Sequence, residues 1–133
     1  MFKAVRYDAG KLVDVALAVS QTVVKGDALQ WASGYLEVGT TGSTDIRFVA
    51  MEDVTTTDAT HATCLVLPVE GVEFEVATDD VVSIADLGTY AQLATKATID
   101  PDDSTVDAFY IRAMIGIAET SKKVVGHFIH ALE

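Results

Sequence analysis

Apolar residues fall into short runs broken by Gly, Asp and Thr turns, and the clearest runs flank Glu70-Gly71. Residues 63–78, TCLVLPVEGVEFEVAT, predict a hairpin: two β-rich arms about a two-residue turn signal. In the second arm Val72, Phe74 and Val76 alternate with Glu73, Glu75 and Ala77, the period-2 pattern of a strand wetted on one face. The first arm, Cys64 to Leu67, is continuously apolar and predicts a more central strand.

The remaining runs follow in order. Residues 11–19, short and valine-rich, predict a strand. Residues 23–38 predict a tight hairpin, with a Lys25-Gly26-Asp27 turn before its first arm and Ser33-Gly34 between its arms. Residues 46–51 predict another strand, and the Thr-rich residues 54–62 a crossing with room for one helical turn. After Asp79-Asp80 come a short strand at 81–84 and a run at 90–99. The loop at 100–107, DPDDSTVD, carries the strongest break, and a final hairpin joins 108–117 to 124–132. Residues 1–10 alternate weakly and read as an arm that orders only against something else.

Runs this short, with two prolines and no long amphipathic helix, predict an all-β fold: a compact barrel or sandwich of short antiparallel strands and hairpins. A faint repeat points to two similar halves, since Gly26–Gln30 resembles Gly88–Gln92 and Ile46–Phe48 resembles Ile111–Ala113. In each half a last apolar strand follows, 64–67 in one and 127–132 in the other. The expected organisation is an arm and first strand over 1–19, then a single barrel-like domain over 20–133.

Composition narrows what such a fold is for. The 133 residues carry a formal charge of −11, which opposes a nucleic-acid groove because phosphate neutralisation needs clustered Lys and Arg. No basic residue lies between Arg47 and Lys96, whereas Lys3, Arg6 and Lys11 make the start locally basic. That start is charged where a signal peptide needs an apolar core, and no window is apolar for long enough to span a membrane as a helix. The expectation is therefore no membrane partner.

Candidate chemistry is sparse. Cys64 is the single cysteine and reads as a buried thiol. His61, His127 and His130 do not have zinc-ligand spacing; on a strand, 127 and 130 would face opposite ways. Glu73 and Glu75 share a face but read as the wet side of a sheet. Asp100, Asp102 and Ser104 begin like a calcium loop, but Thr105 and Ile111 stand where an EF-hand requires Gly and Glu. Residues 39–44, GTTGST, lack the lysine of a phosphate-binding loop. Trp31, Tyr35, Tyr90, Phe109, Tyr110 and Phe128 are spaced like core residues. The reading is non-enzymatic, with no cofactor or metal; the alternative is a ligand- or carbohydrate-binding β-barrel module, whose signature would be exposed aromatics in a concave site.

One resemblance adds to this. The order Val24-Lys-Gly-Asp-Ala-Leu29, Phe48-Val-Ala-Met-Glu-Asp53, Leu65-Val-Leu-Pro68 and Glu70-Gly-Val-Glu-Phe-Glu-Val76 is similar to that of small capsid decoration proteins of tailed bacteriophages. Asp86-Leu-Gly88 and Ile115-Gly-Ile-Ala-Glu119 resemble their second half, while the connections at 54–62 and 100–107 depart from it. The resemblance implies a structural virion protein, made in the host cytoplasm, that sits on the capsid exterior. It would stabilise contacts between major capsid proteins, acting as a homo-oligomer with a trimer favoured. Combined with the basic arm, it makes Phe2, Lys3, Val5, Arg6, Tyr7 and Lys11 the expected capsid-binding residues.

Overall fold

The computed structural model describes residues 1–129. Its N-terminal half contributes β1 (Lys3–Ala4), β2 (Val13–Ala16), β3 (Thr22–Val23), β4 (Ala28–Ala32), β5 (Tyr35–Val38), β6 (Ile46–Ala50), β7 (Val54–Thr55) and β8 (Thr63–Pro68). The C-terminal half contributes β9 (Phe74–Thr78), β10 (Tyr90–Thr95), β11 (Thr98–Asp100), β12 (Phe109–Met114) and β13 (Lys123–Phe128). Helical structure among the described residues is limited to 3-10 turns such as Ala9–Lys11 and Ile84–Asp86, so the protein is all-β as its patterning predicts.

Strands β9, β11, β10, β12 and β13 form a closed barrel. Neighbours run antiparallel except β9 and β11, which pair in parallel at Thr98↔Ala77 and Ile99↔Thr78. Five strands cannot alternate direction around a circle, so one parallel pair is required. The N-terminal sheet has the matching order β5-β4-β6-β8-β2. Its two ends meet at the parallel bridge Leu17↔Leu36, where the Ala18 N–H donates to the Leu36 carbonyl at 2.8 Å.

The register repeats along with the order. Leu29↔Phe48 in the first half answers to Ala91↔Phe109 in the second, Val49↔Leu67 to Tyr110↔His127, and Trp31↔Leu36 to Leu93↔Ile99. Val15↔Cys64 answers to Val76↔Val124, and the bridge Leu17↔Leu36 to Thr78↔Ile99. The chain is thus one five-stranded unit built twice. The match of Gly26–Gln30 to Gly88–Gln92 agrees with this pairing, but two other expected matches shift. Phe48 answers to Phe109 and Ala50 to Ile111, and the counterpart of 64–68 is 124–128 rather than 127–132. Bulges in β4–β6 and β12–β13 move the register that a sequence comparison has to guess.

The predicted hairpin over 63–78 is also corrected. Burial along its second arm is as expected, with Val72, Phe74 and Val76 inside. Its arms do not pair: β8 joins β2 and β6, while β9 joins β1, β11 and β13 in the other sheet. Val69 and Val72 supply the cause, since both are buried around the Glu70-Gly71 turn. Sinking both valines into the core carries the chain from one barrel into the next instead of folding it back on itself.

Each barrel has its own interior. Leu17, Leu29, Leu36, Cys64 and Val66 fill the first. The second is aromatic at the end ringed by Phe74, Leu93, Phe109 and Phe128, all fully buried. We call that end its mouth. The mouth belongs to one continuous core with Ala28, Val49 and Leu67, a row of cross-strand neighbours on the outer flank of the first barrel. The joint is also polar. Ala28 N–H donates to the Lys96 carbonyl at 2.8 Å, and Lys96 Nζ lies 2.9 Å from the buried Asp27 carboxylate. Leu93 and Ile46 meet over Gly39, where an added Cβ would lie 2.9 Å from each. Gly126 is needed in the second interior, since a Cβ there would run into the Tyr110 carbonyl and the Phe109 ring.

Three further expectations change. Residues 81–84 are not a strand: Val82 is buried and its N–H donates to the Ser121 carbonyl, after which the chain enters the 3-10 turn. Residues 54–62 contain no helical turn and are tied down through Thr56, whose Oγ1 donates to the Ala18 carbonyl and accepts from the Gln21 N–H. The N-terminal arm does not wait for another molecule. β1 pairs with β9 at Lys3↔Glu75, and Phe2 N–H donates to the Gly26 carbonyl at 2.8 Å.

Candidate functional site: the N-terminal arm

Strand β1 is an edge strand, and residues 5–11 continue past it over the surface. The Val5 N–H donates to the Glu73 carbonyl at 2.9 Å, and Asp8 Oδ1 accepts from the Gly10 N–H at 2.8 Å to close the following turn. This anchoring leaves Lys3, Val5, Arg6, Tyr7 and Lys11 exposed. Val5 and Tyr7 are the apolar members, at 58% and 44% exposure.

Phe2 must be removed from the predicted surface. Its ring is 1% exposed and lies 4.8 Å from Phe128, 5.7 Å from Phe109 and 6.4 Å edge-on from Phe74, centroid to centroid. An aromatic this well packed is a wedge in the joint, where removing its surface from water gains more than any external contact could without unseating it.

Beside the arm runs a groove of about 440 Å³, lined in part by Lys3, Tyr7, Lys25 and Met51. Sequence reasoning missed Lys25 and Met51. Lys25 looked like a turn residue, and it is one, but the turn is pinned by its N–H to Asp53 Oδ1 at 2.7 Å and brings the side chain to the groove. The available signal was charge: among the nine Lys and Arg of the chain, four stand within the first 25 residues. Among the described residues Lys3, Arg6, Lys11 and Lys25 form no ion pair, whereas Lys96, Arg112 and Lys123 engage Asp27, Glu73 and Glu75. The arm therefore carries uncompensated positive charge on a strongly acidic protein, the arrangement that steers an oppositely charged partner.

Other candidate groups have structural surroundings. His61 stacks on Tyr35 at 3.8 Å, with Nδ1 2.8 Å from the Leu17 carbonyl. His127 stacks on Tyr110 at 5.1 Å, and His130 lies outside the described residues. Burial, then the charge of Glu52, pushes the Cys64 thiol up to about 11, so at neutral pH it is a protonated core group. Among the described residues no group of three or more His, Cys, Asp or Glu side chains could hold a metal ion. In the 100–107 loop, partial desolvation, a hydrogen bond with Asp80 and the charges of Asp80, Asp86 and Asp100 raise the pKa of Asp102. Hydrogen bonds from Thr105 lower that of Asp103.

The aromatic expectation splits. Phe109 and Phe128 are core, but Trp31 and Tyr90 are each 47% exposed. Tyr90, Tyr110 and His127 form a contiguous row across β10, β12 and β13, with Tyr90 and Tyr110 ring centroids 5.3 Å apart. Among the described residues no helix is long and apolar enough to cross a membrane. No protein family, curated protein or solved structure matches the chain.

Proposed function

We propose that the protein is a non-enzymatic decoration protein of a phage head, binding the outer surface and reinforcing contacts between major capsid proteins as a homo-oligomer, with a trimer favoured. The observation that carries this reading is the arm: exposed Lys3, Arg6 and Lys11, none in an ion pair among the described residues, with Val5 and Tyr7 between them. A cement protein needs a stable scaffold and a multipoint contact, not a reaction centre. The double barrel provides the first, and the arm with its groove offers the second. Against the acidic remainder of the surface, the basic arm would be the part that a negatively charged capsid face attracts.

Co-sedimentation with expanded heads assembled without decoration protein tests this. Wild-type chain should pellet with heads at a stoichiometry near one copy per major capsid subunit and be released by salt. The triple variant Lys3→Glu, Arg6→Glu, Lys11→Glu should lose at least about tenfold in affinity, because it replaces attraction by repulsion on a scaffold left intact. Wild type that stays in the supernatant, or a triple variant that pellets equally well, contradicts the reading.

A further inference from the structure

The internal duplication shows how this unit covers its own surface. Inside the chain, the mouth of the second barrel (Phe74, Leu93, Phe109, Phe128) is sealed against the Ala28–Val49–Leu67 flank of the first. The register equivalences assign a counterpart to each side of that joint. The mouth of the first barrel is Val13, Trp31, Phe48 and Pro68, and the flank of the second is Tyr90, Tyr110 and His127. Neither counterpart is covered. Val13 is 42% exposed and Trp31 47%, with Phe48 and Pro68 half-buried, and on the flank Tyr90 is 47% exposed with Tyr110 and His127 half-buried.

We infer that a second copy of this chain covers them: the first-barrel mouth of one copy seats on the second-barrel flank of the next, repeating between chains the joint found within one. Three features support this occupant. The residues at the two open surfaces are those that associating surfaces favour, a Trp at the position of Leu93 and a Tyr at the position of Ala28. Trp31 already packs edge-on to Phe48 at 5.4 Å, so it stands at the mouth as a preformed ring surface. The charges change together as well. The buried Asp27–Lys96 pair of the internal joint is replaced at the equivalent positions by Thr89 and Ser33, so neither side would bury an unmatched charge.

Such contacts are heterologous: each copy offers one mouth and one flank, and repetition closes a ring or extends a filament. The inference shares with the head-decoration reading only the expectation of a homo-oligomer. It stands on the duplication, and its test uses no capsid.

Trp31→Glu should disable the mouth alone and Tyr90→Glu the flank alone, and both sites are exposed enough to leave the fold intact. Thermal melts matching wild type check this, with Trp31→Ser and Tyr90→Ser as substitutes if either Glu variant is unfolded. By light scattering coupled to size exclusion, wild type should run at an integral multiple of 14.1 kDa above one, and each variant alone as a monomer. A mixture of the two variants should form a two-chain complex, because each retains the surface that the other lacks. A monomeric wild type at millimolar concentration, variants that assemble like wild type, or a mixture that stays monomeric overturns the inference. One variant dissociated while the other assembles like wild type would mean a symmetric contact using one patch twice.

Discussion

The two barrels share strand order and register, and they differ in what each does with its exposed end. In the second barrel the mouth is packed with three phenylalanines and Leu93, capped by Phe2 and pressed against its neighbour. In the first, the equivalent positions hold Val13 and Trp31, which are exposed, and Phe48 and Pro68, which are half-buried. The flanks differ in the opposite sense: apolar and small where covered, Tyr and His where open. A duplicated unit keeps the same backbone pairing, while its surface residues report which copy has a partner within the chain. Burial differences between equivalent positions are therefore more informative about association than exposure at any one site.

The largest effect that separates the halves should come from Phe2→Ala. Phe2 has no counterpart at the first mouth, and truncating it leaves a cavity among Phe74, Phe109 and Phe128, at a cost of about 3–5 kcal/mol in urea unfolding. A cost under about 1 kcal/mol would mean that the joint does not depend on the arm. Removing residues 1–10 should accordingly damage the fold as well as any capsid contact, so charge reversal is the cleaner probe of the arm.

Equivalent substitutions at equivalent sites should then diverge. Leu93→Ala should cost about 2–5 kcal/mol, whereas Trp31→Ala, though it removes a larger side chain, should cost the isolated monomer about 1 kcal/mol or less. Equal costs would show that the first mouth is as well packed as the second.

The smallest effect concerns the acidic loop between β11 and β12, whose counterpart between β5 and β6, residues 39–45, carries a single Asp. The folded state raises the pKa of Asp102, so it holds that proton more tightly than the unfolded chain. Stability from this group is therefore gained as pH falls through the raised pKa and lost above it. Asp102→Asn should raise the melting temperature slightly at pH 7 and make no difference below about pH 3, where both forms are neutral. A variant that melts lower than wild type at pH 7 would show that the carboxylate is instead held by favourable contacts.

Much of this fold was legible from short apolar runs and the turn signals between them: the 28–38 hairpin, strands at 46–50 and 64–67, and the 109–128 hairpin all form within those runs. What failed was partner choice. The arms over 63–78 look like a hairpin because Glu70-Gly71 is a good turn, and local signals carry no information about which sheet will bury Val69 and Val72. The duplication was faint because interior positions retain hydrophobicity without identity, as in Leu36 and Ile99, Cys64 and Val124, or Val66 and Gly126. Charge made most of the arm visible, but apolarity alone could not distinguish Phe2, a core wedge, from Val5 and Tyr7 on the surface.

Trp31 is the sole tryptophan, so its fluorescence reports the open mouth directly. Emission and acrylamide quenching followed from nanomolar to millimolar chain should show a solvent-exposed indole when dilute. A blue-shifted and quencher-protected indole should replace it over the same concentration range in which the mass rises. An indole that stays exposed while the mass increases, or one already shielded in the monomer, would contradict the claim that the first barrel's mouth is the surface that a second copy covers.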